Sequence, residues 1–161
     1  MGIRDLMDNL PQQGTIEWLG IRPARLAPVE ACELLEADAL AGLVGDHYAG
    51  KSGKRQVTLI QAEHLAAVGS MLGGAPIEPA TLRRNMVVSG LNLLALKGKE
   101  FIVGEATLAF TGLCHPCSRM EELLGAGGYN AMRGHGGITA RVVNGGVIYI
   151  GSALHSVGQQ P

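Results

Sequence analysis

The sequence carries little charge, and neither sign is in clear excess. Charged residues make up 17% of the 161 residues, and the formal net charge is −1. Nucleic acids and anionic membrane surfaces attract proteins in which basic residues dominate a face or the whole chain. We therefore expect this chain to bind neither nucleic acid nor a membrane.

Long apolar runs and a cysteine framework are missing as well. No uncharged apolar stretch approaches the roughly 18 residues that a bilayer-spanning helix needs, and residues 1–14 lack the apolar core of a signal peptide. Three cysteines are too few, and an odd number, for the disulfide framework of a small secreted domain. These absences predict a protein of a reducing compartment, with the cytoplasm as the expected location.

Glycine, in contrast, is abundant. The chain has 24 glycines, roughly twice the average share, and glycine suits tight turns, bulges and close approaches of backbone. Hydrophobic residues at 47% are enough for one core in a chain of this length. The sequence thus predicts a leader over residues 1–13 and a single domain over 14–158. Its fold class is mainly β with a few short helices, either a barrel or a sandwich.

Strand-like segments alternate with turns that contain glycine or proline. The predicted strands cover residues 15–19, 56–60, 100–103, 106–110, 137–143 and 147–149. Two segments favour helix instead: 31–44, which is rich in Leu, Ala and Glu, and 61–72, where apolar residues recur at helical spacing. The pair Asn144-Gly145 between the last two strands is typical of a type I′ hairpin turn.

One cysteine, Cys117, stands where a helix is predicted to begin. Ser118 and Glu121 have the spacing of a capping box, which predicts a short helix that ends near residue 124. The unpaired amides of its first turn and the neighbouring Arg119 would favour the thiolate form of Cys117. Such a thiolate could act as a nucleophile, carry a persulfide or bind a soft metal. A buried, inert cysteine is the alternative.

Cys114 and Cys117 form a C-x-x-C pair, which leaves two other chemistries open. A dithiol oxidoreductase would use both thiols, although thioredoxin-like proteins place such a pair in a βαβ unit. A zinc site would need further ligands, for which His115, His135 and Cys32 are the candidates.

Two further patterns concern anion binding. Gly45-x-x-x-x-Gly50-Lys51-Ser52 matches the phosphate-loop pattern, but that loop needs a strand before it and a helix after it. Here a predicted helix precedes the match and a predicted strand follows it, so we interpret the match as accidental. Basic residues also lie beside turns: Arg22, Lys51, Lys54, Arg55, Arg83, Arg84, Arg133 and Arg141. The adjacent pair Arg83-Arg84 could bind phosphate through bidentate hydrogen bonds.

A glycine-rich segment, Gly134-His135-Gly136-Gly137, leads into the strand predicted at 137–143. Its glycines would permit close approach to a flat ligand, but a plain turn explains them equally well. His135 alone is more typical of a structural residue than of a catalytic one.

Several blocks of the chain, taken in order, resemble the MOSC family, which is named after the C-terminal domain of molybdenum-cofactor sulfurase. The blocks are Gly20–Pro23, Gly45–His47, Arg55–Glu63, Leu82–Leu93, Leu96–Gly98, Phe101–Gly104, Cys114–Cys117 and Gly145–Gly151. The resemblance covers roughly residues 14–155. Two positions depart from it, because many members have arginine in place of His47 and aspartate in place of Ser152.

The resemblance implies a barrel-like MOSC fold with peripheral helices and an activity centred on Cys117. In the family this cysteine is proposed to carry sulfur as a persulfide, or to bind molybdenum in members that hold the pterin cofactor (molybdopterin). The residues expected on the cofactor-binding side are Arg22, Arg55, Arg83, Arg84, Asn85 and His115.

The resemblance leaves open whether the chain is an enzyme. An oxidoreductase would reduce N-hydroxylated compounds and would need a separate electron-transfer protein. A sulfur carrier would instead receive sulfur from a cysteine-desulfurase-type donor. Pyridoxal phosphate belongs to the sulfurase partner domain of the fused relatives, and no lysine of this chain is assigned to it.

Overall fold

The computed structural model describes residues 1–48 and 53–158. Their α-helices are α1 (Ile3–Asp8), α2 (Ala62–Met71), α3 (Ser118–Leu124) and α4 (Gly128–Met132), and two 3₁₀ helices cover Pro79–Leu82 and Leu93–Leu96. The strands are β1 (Gly14–Ile21), β2 (Glu30–Cys32), β3 (Leu34–Asp38), β4 (Gly42–Leu43), β5 (Val57–Gln61), β6 (Met86–Ser89), β7 (Glu100–Val103), β8 (Ala106–Leu113), β9 (Ile138–Asn144), β10 (Gly146–Tyr149) and β11 (Ala153–Ser156). None of the helices in the described residues has both the length and the apolar character needed to cross a membrane.

Seven of the strands close into a barrel. Their order is β1-β11-β7-β8-β9-β5-β6, and β6 pairs back with β1. Neighbours are antiparallel except for β5 and β6, which are connected through α2 and run parallel. β2 extends the sheet from β1 outside the ring. The mainly β, barrel-like prediction is confirmed.

Two apolar clusters lie on opposite sides of β5, which is buried at every position. Leu59 faces the barrel interior together with Phe101, whereas Ile60 faces a second cluster that includes Leu65 and Val68 of α2. Successive side chains of a strand point to opposite faces. Burial on both faces explains why apolar side chains stand on both sides of β5. The buried polar side chains of Thr58 and Gln61 are satisfied by hydrogen bonds to Asn85 and to the amide of Leu93.

The prediction of a helix over residues 31–44 is wrong. The segment contains β2, β3 and β4, and β3 joins β4 and β10 in a separate three-stranded sheet. Along β3, Leu35 and Ala37 are buried while Leu34 and Glu36 are exposed. The helical preference of Leu, Ala and Glu is overridden because this two-residue alternation buries one face against the barrel core.

The predicted hairpin turn at Asn144-Gly145 is also wrong. β9 pairs with β5 and β8, whereas β10 pairs with β3, and Gly145 lacks the positive φ that a type I′ turn requires. A Cβ atom on Gly145 would lie 2.6 Å from the carbonyl oxygen of Ala37, and one on Gly146 would lie 2.4 Å from that of Glu105. These glycines allow the chain to pass close to neighbouring backbone.

The helices predicted at 61–72 and 118–124 are confirmed by α2 and α3, but the capping box at α3 is not formed. Cys117 is the N-cap residue of α3, and its side chain makes no capping hydrogen bond. The carboxylate of Glu121 accepts hydrogen bonds from the amides of Gly127 and Tyr129, both at 3.0 Å. Glu121 therefore fixes the turn between α3 and α4.

Candidate functional site

A small cationic pocket of about 120 Å³ lies where α3 begins. Its lining consists of five arginines, two cysteines and five other residues: Arg22, Tyr48, Arg55, Thr58, Leu82, Arg83, Arg84, Cys114, Cys117, Arg119, Met120 and Leu123. Among the described residues that line it, none is an aspartate or a glutamate. The fold thus brings Cys117 together with the four arginines that were predicted on the cofactor-binding side, namely Arg22, Arg55, Arg83 and Arg84.

Cys117 is the exposed thiol of the pocket. It lies between the extended segment after β8 and the first turn of α3, and its carbonyl accepts the Met120 amide at 2.9 Å. Its own backbone is extended, with φ −128° and ψ −179°. The side chain is therefore held at the end of a helix, where solvent and other molecules can reach it.

Cys114 is the buried thiol of the pocket. Only 5% of the residue is exposed, its amide donates to the carbonyl of Gly137 at 2.9 Å, and Nη2 of Arg55 lies 3.9 Å from its sulfur. The backbone from Cys114 to Cys117 has neither a turn nor a bend. The two thiols of the C-x-x-C pair differ in access, since Cys114 is buried and Cys117 is exposed.

Arg84 is the buried cation of the pocket, with 7% of the residue exposed. Its Nε donates to the carbonyl of Gly136 at 3.0 Å, and its Nη1 donates to that of Leu82 at 2.6 Å. Nη2 has no hydrogen-bond partner within residues 1–48 and 53–158. Burial is the main cause that lowers the pKa of Arg84, whereas the nearby Cys114 raises it. A guanidinium keeps its proton in proteins, and within the described ranges no Asp or Glu lines the pocket to compensate this buried charge.

The glycines before β9 bring backbone close to backbone. A Cβ atom on Gly136 would lie 1.9 Å from the carbonyl oxygen of Cys114, and one on Gly137, where φ is +86°, would lie 2.0 Å from that of Leu59. Only glycine fits such approaches. The segment therefore packs against the cysteine block and β5, and its carbonyls hold Arg84 and Cys114.

A buried polar network supports the other side of the pocket. Arg22 binds Asp46 in a bidentate pair, with distances of 3.1 Å and 2.8 Å, and also donates to Oδ1 of Asn85 at 3.0 Å. Asn85 is fully buried, accepts the amide of Thr58, and donates to Asp46 and to the carbonyl of Gly20, each at 3.0 Å. Burial acts to raise the pKa of Asp46, but the hydrogen bonds and charge of Arg22 outweigh it, so this pKa is lowered.

Three further arginines complete the positive charge. Arg83 has a left-handed backbone with φ 60°, a strained conformation for a residue other than glycine, and its guanidinium donates to the carbonyls of Ala24 and Ala27. Burial lowers the pKa of Arg83, and the charge of Arg119 adds to this effect. Arg55 is more exposed. Repulsion among these cations would be relieved by an anion in the pocket.

Not every predicted site residue lines this pocket. The side chain of Asn85 forms the centre of the buried network behind the pocket. His115 is exposed and lines a neighbouring cavity of about 160 Å³ together with Pro116 and Gly134. Arg119, Tyr48 and Thr58 line the pocket although they were not among the predicted site residues. Arg119 was detectable as a basic residue two positions after Cys117.

The other sequence patterns do not converge on this pocket. Within the described residues, no three His, Cys, Asp or Glu side chains come close enough to hold a metal ion, so Cys32 and His135 do not complete a zinc site with Cys114. Lys51 and Ser52 of the phosphate-loop match lie outside the described residues. The segment after the match forms the strand β5, as predicted, whereas the segment before it is the strand β4 and not the predicted helix.

Comparison with solved structures shows the same fold in bacterial proteins. The YuaD protein from Bacillus subtilis is 22% identical, with a TM-score of 0.78, and the match covers 90% of this chain and 96% of that one. YiiM from Escherichia coli is 18% identical, with a TM-score of 0.65 and coverages of 91% and 71%. YiiM from Geobacillus stearothermophilus is 16% identical, with a TM-score of 0.71 and coverages of 89% and 75%.

Sequence comparison gives two results. No curated protein matches the chain. The family model described as the MOSC domain matches residues 43–155, a span that includes β5 to β10 and the cysteine block. Because this match covers more than half of the sequence, the chain belongs to the MOSC domain family.

Proposed function

We propose that this protein binds the molybdenum–pterin cofactor through its cationic pocket and uses Cys117 as the sulfur atom that meets the metal or carries sulfur. The MOSC family is associated with this cofactor. The observation that carries the proposal is Arg84, a buried cation whose Nη2 has no hydrogen-bond partner among the described residues. In that part of the chain, no carboxylate lines its pocket either.

The pocket suits the anionic end of such a cofactor. Arg84 and Arg55 offer guanidinium groups, which bind phosphate oxygens well because their donors form a planar fork. The guanidinium of Arg22 is already paired with Asp46 and adds positive charge behind them. The pocket volume of about 120 Å³ is below the about 300–1,000 Å³ of sites that enclose whole ligands. It would therefore take a phosphate-sized group, while the larger part of the ligand lies outside the pocket.

Cys117 fits the metal end. A thiolate is a soft ligand, and Cys117 is the exposed thiol of the pocket, which leaves space for a bulky group next to it. When bound, the cofactor would supply two-electron redox chemistry, such as the reduction of N-hydroxylated compounds with electrons from a partner protein. The protein itself would hold the anionic end of the cofactor with its arginines and leave the metal end next to Cys117, while Cys114 stays buried.

A sulfur-carrier function is the second candidate, and the exposure of Cys117 favours it. A cysteine-desulfurase-type donor must bring its own persulfide to the accepting sulfur, which requires an accessible thiolate. The Cys117 thiolate would attack the outer sulfur of the donor's persulfide, so that a new sulfur–sulfur bond forms and the donor's thiolate leaves. The arginines would stabilise the resulting anionic persulfide.

The two candidates can be separated on protein purified from cells with active cofactor biosynthesis. Elemental analysis measures molybdenum per chain, and intact mass measures added sulfur. Stoichiometric molybdenum that disappears in Cys117→Ser supports the cofactor, whereas one added sulfur on Cys117 without molybdenum supports the carrier. Cys114→Ser is the matched control and should retain either signal. If Arg84→Gln retains full molybdenum or persulfide content, the role of the pocket is wrong.

A further inference from the structure

A pair of histidines, His64 and His135, lies outside the lining of the cationic pocket. His64 belongs to α2, and His135 belongs to the Gly134–Gly137 segment. Their ring centroids are 4.7 Å apart and their planes make an angle of 84°. Both residues are half-buried, and His64 lines a cavity of about 350 Å³ together with Gln61 and Asn92.

The hydrogen bonds of the pair leave ring nitrogens available. Nδ1 of His135 lies 2.9 Å from the carbonyl oxygen of Arg133. Because a carbonyl oxygen only accepts, Nδ1 donates this hydrogen bond, and Nε2 is the ring nitrogen available to a metal ion. In the described part of the chain, neither this Nε2 nor either nitrogen of His64 has a hydrogen-bond partner. A backbone carbonyl that fixes the opposite nitrogen is the usual support of a metal-binding histidine.

We propose that His64 and His135 form a two-histidine site for a borderline divalent ion such as Ni²⁺, Cu²⁺ or Zn²⁺. With metal–nitrogen distances of about 2.1 Å, two imidazoles on one ion have centroids about 4.6–5.3 Å apart for ligand angles between a right and a tetrahedral angle. The observed separation of 4.7 Å falls in this range. Since no third His, Cys, Asp or Glu joins the pair among the described residues, water in the adjacent cavity would fill the remaining positions.

Metal binding at this pair would act on the cationic pocket. The ion would tie α2 to the Gly134–Gly137 segment, whose carbonyls hold Nε of Arg84 and the amide of Cys114. The site thus offers a second ligand, independent of the pterin cofactor, that rigidifies the segment supporting Arg84. Its existence does not depend on the proposed molybdenum or sulfur chemistry.

The test is calorimetric titration of Ni²⁺ into tag-free protein of the Cys117→Ser background, which removes the exposed thiol. We expect one ion per chain and no thiolate charge-transfer band in the absorption spectrum. Loss of a supporting group alone weakens metal sites about 10- to 100-fold, so His64→Gln and His135→Gln should each weaken binding at least tenfold. His115→Gln, which alters an exposed histidine nearby, should leave binding unchanged.

The proposal is overturned if wild-type affinity survives in both His64→Gln and His135→Gln, or if His115→Gln weakens binding as much as they do. Far-ultraviolet circular dichroism of each variant establishes that it is folded. Molybdenum content measured on the same variants reports separately on the proposed function.

Discussion

Replacing Asn85 with alanine would test whether this residue is a structural centre or a ligand contact. Asn85 is fully buried and joins β6 to three other parts of the chain. Asn85→Ala would remove the acceptor of the Thr58 amide and the donor to the Gly20 carbonyl. A buried polar group that loses its hydrogen-bond partner lowers the free energy of unfolding by about 1–3 kcal/mol. Two such groups therefore predict that Asn85→Ala lowers it by about 2–6 kcal/mol. Arg22 and Asp46 would retain their mutual bidentate pair.

The free energy of unfolding is measured by urea denaturation followed by the fluorescence of Trp18, the single tryptophan. A loss of about 3 kcal/mol would lower the melting temperature by about 6–12 °C in a domain of this size. Asn144→Ala is the matched control, because Asn144 is exposed and exposed substitutions usually change stability by less than about 0.5 kcal/mol. If Asn85→Ala were as stable as this control, the reasoning from the buried network would be refuted.

Three further predictions concern acid stability, a close backbone contact and thiol access. The pKa of Asp46 is lowered by its partner Arg22. The stability that the Asp46 carboxylate contributes is therefore present above its unfolded pKa, near 3.8, and is lost as the pH falls through the lower folded value. Asp46→Asn should flatten this part of the acid unfolding curve. Gly136→Ala should lower the free energy of unfolding by about 1–3 kcal/mol, because the new Cβ atom would overlap a backbone carbonyl. Gly74→Ala should leave it unchanged in the same urea assay, because a Cβ atom on Gly74 would lie in open space. In native protein, iodoacetamide followed by peptide mass analysis should modify Cys117 well before Cys114, which is buried; equal rates would contradict the assigned geometry.

The barrel strands could be predicted because their signals are local. Alternating or continuous apolar runs at 56–60, 100–103 and 106–110 match β5, β7 and β8. The prediction for residues 31–44 was wrong because their composition favours a helix, whereas β3 within this segment forms by pairing with β10, more than 100 residues away in the sequence. The Asn144-Gly145 pair misled it because the glycines serve contacts with distant backbone rather than a turn. Neither long-range contact leaves a local signal.

The site could be predicted in part. Cys117 and the arginines at positions 22, 55, 83 and 84 were predicted as site residues, and the fold places them around one pocket. Their roles in cofactor binding stay predictions. The sequence could not separate Asn85 from its neighbouring arginines, because only the folded chain shows that its amide is used up by internal hydrogen bonds. It also could not show that His115 lines a neighbouring cavity rather than the cationic pocket, since that depends on the path of the chain after β8.

The guanidinium of Arg84 is oriented by main-chain oxygens of Leu82 and Gly136 rather than by side chains. Substitution of neighbouring side chains would therefore leave the orientation of this guanidinium unchanged. A ligand would meet a receptor that is already assembled, so capture requires no rearrangement and proceeds as a single encounter step. Its association rate should fall steeply as ionic strength rises, while any slow conformational phase should be absent from the kinetic trace.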